Sequence, residues 1–160
     1  MKAVTIKQLK DELTHKSASE LKELCLHLSR FKKENKELLT YLLFESFDEE
    51  RYIQSIKDQM DLQFSEINTN SFFYIRKSAR KILSLTKKFI RYSKKKETET
   101  ELLLYFCKKL KDFRPSIARS QRLQNVFDSQ VRLIKKAIDK LHEDLQYDYE
   151  LELNDLLDNE

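Results

Sequence analysis

Residues 71–96 read SFFYIRKSARKILSLTKKFIRYSKKK and carry ten Lys or Arg with no Asp or Glu. At 100° per residue, the large apolar side chains of this stretch, among them Ile75, Ile82 and Ile90, fall on one face of a helical wheel. Cations about one turn apart occupy the opposite face. The pattern predicts one amphipathic helix with a buried face and a basic binding surface. That predicted surface comprises Phe73, Lys77, Arg80, Lys81, Lys87, Lys88, Arg91 and Lys95.

Glycine is absent from all 160 residues, and Pro115 is the only proline. An average composition would supply about eleven glycines. Without them the chain has no inexpensive route to positive φ, so tight hairpins and β-bulges are disfavoured. Glycine-based phosphate loops, such as the Walker A loop and the dinucleotide fingerprint, are excluded for the same reason. The composition predicts an all-α fold.

About seven helices are predicted. The first covers Thr5 to Thr14, and the second begins at a capping box, Ser17–Glu20. Continuous apolar runs at Leu38–Phe44 and Leu102–Cys107 are typical of helices enclosed by neighbours, and they predict the two central helices. In the second helix the predicted buried residues are Leu21, Leu24, Cys25, Leu28 and Phe31.

The second half of the chain adds further periodic segments. A helix beginning after Asp48 is predicted to bury Tyr52, Ile53, Ile56, Met60 and Phe64. Pro115 ends the helix before it, because proline cannot continue a helix. A seventh helix is then expected from about Ser116 past Leu145. The following YDYELEL alternates with period two, as a strand would, but no Gly or Pro is present to end the helix, so a fraying continuation of the helix is favoured.

Two halves of the chain carry similar apolar patterns, over residues 17–67 and 78–141. The matched positions are Leu21, Leu24, Leu28 and Phe31 with Ile82, Leu85, Phe89 and Tyr92, and Glu37 to Tyr41 with Glu101 to Tyr105. Repetition of a helical unit resembles HEAT and armadillo repeats, which implies two stacked three-helix repeats in an α-solenoid. A plain multi-helix bundle is the alternative. The chain also resembles small helical proteins common in bacteria, a resemblance that implies no activity.

Charge is segregated along the chain. After Lys140 there is no Lys or Arg, whereas eight Asp or Glu follow. We therefore expect one helical domain over residues 1–146 and an acidic tail over 147–160. The tail is interpreted either as a solubilising end or as a docking segment with apolar anchors. We also predict that the C-terminal acids regulate binding at the basic surface.

No catalytic, cofactor-binding or metal-binding residue is predicted. His27 and Cys25 lie two residues apart and so point about 200° apart on a helix. His142-Glu143 begins like a zinc-protease motif, but Gln146 stands where the second histidine would be. The two cysteines, Cys25 and Cys107, are interpreted as reduced core residues of a cytoplasmic protein.

The sequence therefore favours a helical scaffold or protein-interaction module without catalytic activity, with residues 71–96 as its binding surface. A protein partner is expected. The alternative is a nucleic-acid-binding protein, because cations repeating every three to four residues lie near the spacing of backbone phosphates. An exposed Phe73 beside arginines would suit base stacking. The oligomeric state stays open.

Overall fold

The structure, a computed structural model, describes residues 1–158 and contains eight α-helices and no strand over that range. The all-α prediction is confirmed. The chain divides into two compact units, residues 1–44 and Glu45 onward. The helices are α1 (Ile6–Thr14), α2 (Ala18–Phe31), α3 (Lys33–Thr40), α4 (Glu49–Ser65), α5 (Phe72–Ser93), α6 (Lys96–Asp112), α7 (Gln121–Ile138) and α8 (Glu143–Asp158).

Local capping determines where α1 and α2 of the first unit begin. Ser17 and Glu20 form the predicted capping box at the start of α2, and Thr5 and Gln8 form another before α1. Helices α2 and α3 pack against each other, and the Asn35 side-chain amide donates to the Leu28 carbonyl at 2.9 Å. These contacts order the helices without building a large core.

The predicted burial of the α2 face is wrong. Leu24, Leu28 and Phe31 are exposed, Cys25 is exposed as well, and no residue of α2 is buried. The amphipathic pattern is real, but a unit of three short helices offers no second layer to cover this face. Periodicity identifies the apolar face of a helix and does not show what lies against it.

The prediction of a central buried helix at Leu38–Phe44 is also wrong. Helix α3 ends at Thr40, and a π-helical segment follows at Tyr41–Glu45. Tyr41 is buried, but Leu42, Leu43 and Phe44 are more than half exposed. Because the run is apolar on all sides, its sequence cannot distinguish an enclosed helix from an uncovered one. The matched positions of the two halves thus differ in burial, and the repeat architecture stays a prediction.

Helix α6 is the centre of the second unit, as predicted for Leu102–Cys107. It packs against α4, α5, α7 and α8. Leu102, Phe106 and Cys107 are completely buried, and the Phe106 and Phe64 rings lie 5.8 Å apart. All five residues predicted to be buried in α4 are buried. Contact with four neighbouring helices explains why nearly all of the Leu102–Cys107 run is apolar.

The predicted seventh helix is two helices, which accounts for the eighth. A 3₁₀ turn at Ile117–Arg119 precedes α7. Helix α7 then ends at Ile138, and a turn separates it from α8. The Gln146 side-chain amide caps the turn by donating to the Leu141 carbonyl. The turn contains neither glycine nor proline, so the sequence carried no conventional breaker to indicate it.

Helix α8 packs against α6 and α7 and includes residues 147–158 of the acidic tail. Tyr149 and Leu153 are buried, whereas Tyr147 and Leu151 are exposed. Each pair is four residues apart and so occupies one face of a helix. The period-two pattern therefore arises from two apolar pairs on opposite faces of a helix, and not from a strand.

In the turn from α5 to α6, a residue other than glycine adopts the left-handed backbone conformation. Lys94 has φ 60° and ψ 3°, and its amide donates to the Ile90 carbonyl. Lys94→Gly is expected to raise the free energy of unfolding by about 1 kcal/mol, since glycine has no Cβ penalty there. Urea denaturation measures the change. Lys94→Ala, which removes the same charge and keeps Cβ, should not stabilise; equal gains for both variants would contradict the backbone explanation.

Candidate functional site

Helix α5 presents its basic face because its apolar face is held by the core. Ile75 and Ala79 are fully buried, and the helix packs against α4, α6 and α7. Ser71 caps its start by accepting from the Tyr74 amide at 3.4 Å. The opposite face is exposed at four of the predicted cations, Lys77, Arg80, Lys81 and Arg91. A rigid helix thus carries a row of cations about 21 Å long.

These four cations have no carboxylate close by. Over residues 1–158, the part of the chain that the structure describes, no ion pair within 4.0 Å includes Lys77, Arg80, Lys81 or Arg91. Their charges therefore add to a positive potential at this surface. Such a surface attracts an anionic partner at moderate salt.

Lys87, at the border of the basic face, and Lys88, within that face, are both half-buried. Burial lowers the pKa of Lys87, and Glu99 on α6 offsets part of that effect. The Lys88 ammonium lies 5.2 Å from the centroid of the Phe89 ring. Both side chains therefore lie along neighbouring protein surface and are less available to a partner than the sequence predicted.

Lys95 belongs to the helix junction. Helix α5 ends at Ser93, so Lys95 lies beyond the helix and not on its basic face. Its ammonium forms an ion pair with the Glu49 carboxylate at 3.0 Å. Glu49 also accepts hydrogen bonds from the hydroxyls of Ser93 and Thr98. This carboxylate joins the start of α4 to the turn between α5 and α6. The prediction that a single helix extends through Lys96 is the source of the misplacement.

An aromatic cluster lies at the start of α5. Phe73 is 58% exposed and Tyr74 is exposed beside it, with their ring centroids 5.5 Å apart. The Arg76 guanidinium lies 5.7 Å from the Phe73 centroid, and Arg119 lies 5.9 Å from that of Phe72. Arg76 was detectable from its i,i+3 spacing to Phe73, whereas Arg119 is brought there by the fold.

We call the resulting surface the cationic patch; its residues are exposed except Arg76, which is half-buried. It comprises Phe73, Tyr74, Arg76, Lys77, Arg80, Lys81 and Arg91. Helix α8, which carries the acidic tail, makes its packing contacts with α6 and α7. Removing residues 147–160 would therefore uncover core residues, so the hypothesis of regulation by the tail needs charge substitutions in place of truncation.

A second charged cluster lines a cleft of about 720 Å³ between α4, α6 and α8. Lys57 pairs with Glu101 at 2.6 Å, and the Tyr105 hydroxyl donates to Asp61 at 2.8 Å. Burial and the neighbouring Asp61 raise the pKa of Tyr105 to about 12. Lys109 also pairs with Asp61 at 2.9 Å. These groups satisfy one another and join α4 to α6, which makes the cluster structural.

The described residues contain no group of three or more His, Cys, Asp or Glu arranged to hold a metal ion. Among the helices within residues 1–158, none combines the length and apolar character required to cross a membrane. No protein-family model, curated protein or solved structure matches this chain. The function proposed below therefore rests on the geometry of this chain alone.

Proposed function

We propose that the protein is a non-catalytic helical interaction module that binds an acidic protein partner through the cationic patch. The supporting observation is the row of exposed cations on α5, a core-packed helix, with no carboxylate of residues 1–158 within ion-pair distance of Lys77, Arg80, Lys81 or Arg91. Because the helix already holds these side chains in a row, less conformational entropy is lost when a partner binds. Complementary charge speeds encounter and selects acidic partners over basic ones. The unpaired thiols of Cys25 and Cys107 support a cytoplasmic setting.

Binding of the full chain to fluorescent poly-glutamate tests this proposal. We expect saturable binding at low salt that weakens as salt is raised, because the contacts are between charges. An uncharged peptide of equal length serves as the control and should not bind, because it offers no carboxylates to the cationic patch. Absence of poly-glutamate binding at low salt would overturn the proposal.

Nucleic-acid binding is the second candidate, and the exposed Phe73 and Tyr74 beside Arg76 specifically favour it. Aromatic side chains next to cations are the arrangement on which unpaired bases stack. Contact of about four cations with single-stranded DNA would give a slope near −3 when log affinity is plotted against log salt.

The aromatic pair distinguishes the two partner classes. Phe73→Ala combined with Tyr74→Ala is expected to weaken single-stranded DNA binding about tenfold or more, since stacking is worth about 1–3 kcal/mol per base. Poly-glutamate binding should change little, because it has no bases to stack. Fluorescence anisotropy with both probes measures the difference. Equal losses with both probes would argue against base stacking.

A further inference from the structure

A groove lies between α2 and α3, entirely within residues 26–44. Its volume is about 790 Å³, within the range of natural binding clefts. Leu39, Leu43 and Phe44 contribute apolar surface, and Leu43 and Phe44 are 60% and 64% exposed. An apolar groove of this kind is the usual receptor for an amphipathic helix.

The groove is lined by cations and by no carboxylate-bearing residue. The cations are Arg30, Lys33 and Lys36. Lys33 lies 3.7 Å from the Glu37 carboxylate, so part of its charge is compensated. The net field in the groove is positive, which selects a helix with apolar anchors between acids.

The outer face of α8 has that chemistry. Tyr147 and Leu151 lie one turn apart and are 65% and 48% exposed, whereas Tyr149 and Leu153 attach the other face to the core. Asp144 and Glu150 flank the exposed pair on the helical wheel, and both are exposed. Residues 141–158 contain no Lys or Arg.

We propose that α8 of one copy docks in the α2–α3 groove of a second copy. Tyr147 and Leu151 enter the apolar groove, and Asp144 and Glu150 lie beside Arg30 and Lys36. Both surfaces are exposed to solvent in the chain, so each is open to a second copy. A two-fold axis lets the two copies exchange this contact reciprocally, so that one dimer contains it twice. The inference is independent of the partner proposed for the cationic patch.

Two charge-reversed variants test the contact by sedimentation. One carries Arg30→Glu and Lys36→Glu, and the other carries Asp144→Lys and Glu150→Lys. The unmodified chain should form a species of twice 19.3 kDa. Each variant alone should associate at least about 30-fold more weakly, since two opposite-charge contacts become repulsive.

Mixing the two variants should restore the dimer. In the mixture the reversed groove meets the reversed helix, and the native groove meets the native helix, so both contacts regain opposite charges. The matched control, Arg122→Glu with Arg132→Glu on α7, replaces two exposed cations outside both surfaces and should leave dimerisation unchanged. Circular dichroism verifies that each variant is helical, and the restored dimer proves that both are folded.

Three results would overturn the inference. They are a chain that is monomeric at all concentrations, a dimer unaffected by either reversal, and a dimer disrupted equally by the α7 control. Loss of dimer in both variants without recovery on mixing would count against it as well, because correct pairing of the reversed surfaces requires recovery.

Discussion

Replacing Arg80, Lys81 and Arg91 by Glu is expected to weaken binding of the full chain to poly-glutamate about 100-fold. The three side chains are exposed, so their removal does not disturb the core. Hydrogen bonds to charged groups contribute about 1 kcal/mol or more each, and three of them together correspond to roughly two decades of affinity. Reversal adds repulsion to the loss of attraction. Fluorescence anisotropy at fixed low salt measures the effect.

Helix α7 supplies a control with the same change in net charge. Arg132, Lys135 and Lys136 are exposed on that helix, and their joint replacement by Glu should weaken binding only slightly through the lower overall charge. Similar losses for the α5 and α7 variants would mean that net charge, and not the cationic patch, determines binding. Both variants should retain full helicity by circular dichroism.

Phe106→Ala is expected to lower the free energy of unfolding by about 3–5 kcal/mol. Phe106 is 0% exposed at the centre of α6, with the Phe64 ring 5.8 Å away. Truncation removes the transfer free energy of the ring and leaves a cavity that rigid neighbours fill only in part. The loss is a large fraction of the stability of an ordinary domain. Urea denaturation followed by circular dichroism measures it.

Phe31→Ala is the matched truncation at an exposed position. Phe31 is 78% exposed, and its replacement should change the free energy of unfolding by less than about 0.5 kcal/mol. The sequence predicts burial for both Phe31 and Phe106. This pair of variants therefore shows whether the free energy of unfolding depends on the hydrophobic pattern of the sequence or on burial in the fold. A cost at Phe31 close to that at Phe106 would show that the face of α2 is covered in solution.

The candidate site was predictable in part. The exposed row of Lys77, Arg80, Lys81 and Arg91 follows from helical spacing, because a helix with one apolar face must turn the opposite face away from the core. The wheel could not identify Lys87 as half-buried beside α6, since its position lies at the border of the two faces. It also could not place Arg119 near Phe72, because that contact joins α5 to the 3₁₀ turn before α7 and forms only in the folded chain.

The sequence by itself determined that the chain is helical, where most helices begin, and that most of the Leu102–Cys107 run is buried. Three features indicate helices locally: the lack of glycine, the presence of capping residues, and the 3.6-residue period of apolar side chains. Each can be recognised without a structure. Only the tertiary structure decided which apolar faces are covered. The Leu38–Phe44 and Leu102–Cys107 runs are alike in composition, yet α6 has four helices around it, whereas most of the first run is exposed. Burial depends on neighbouring elements that are distant in sequence, and the hydrophobic pattern of one helix carries no information about them.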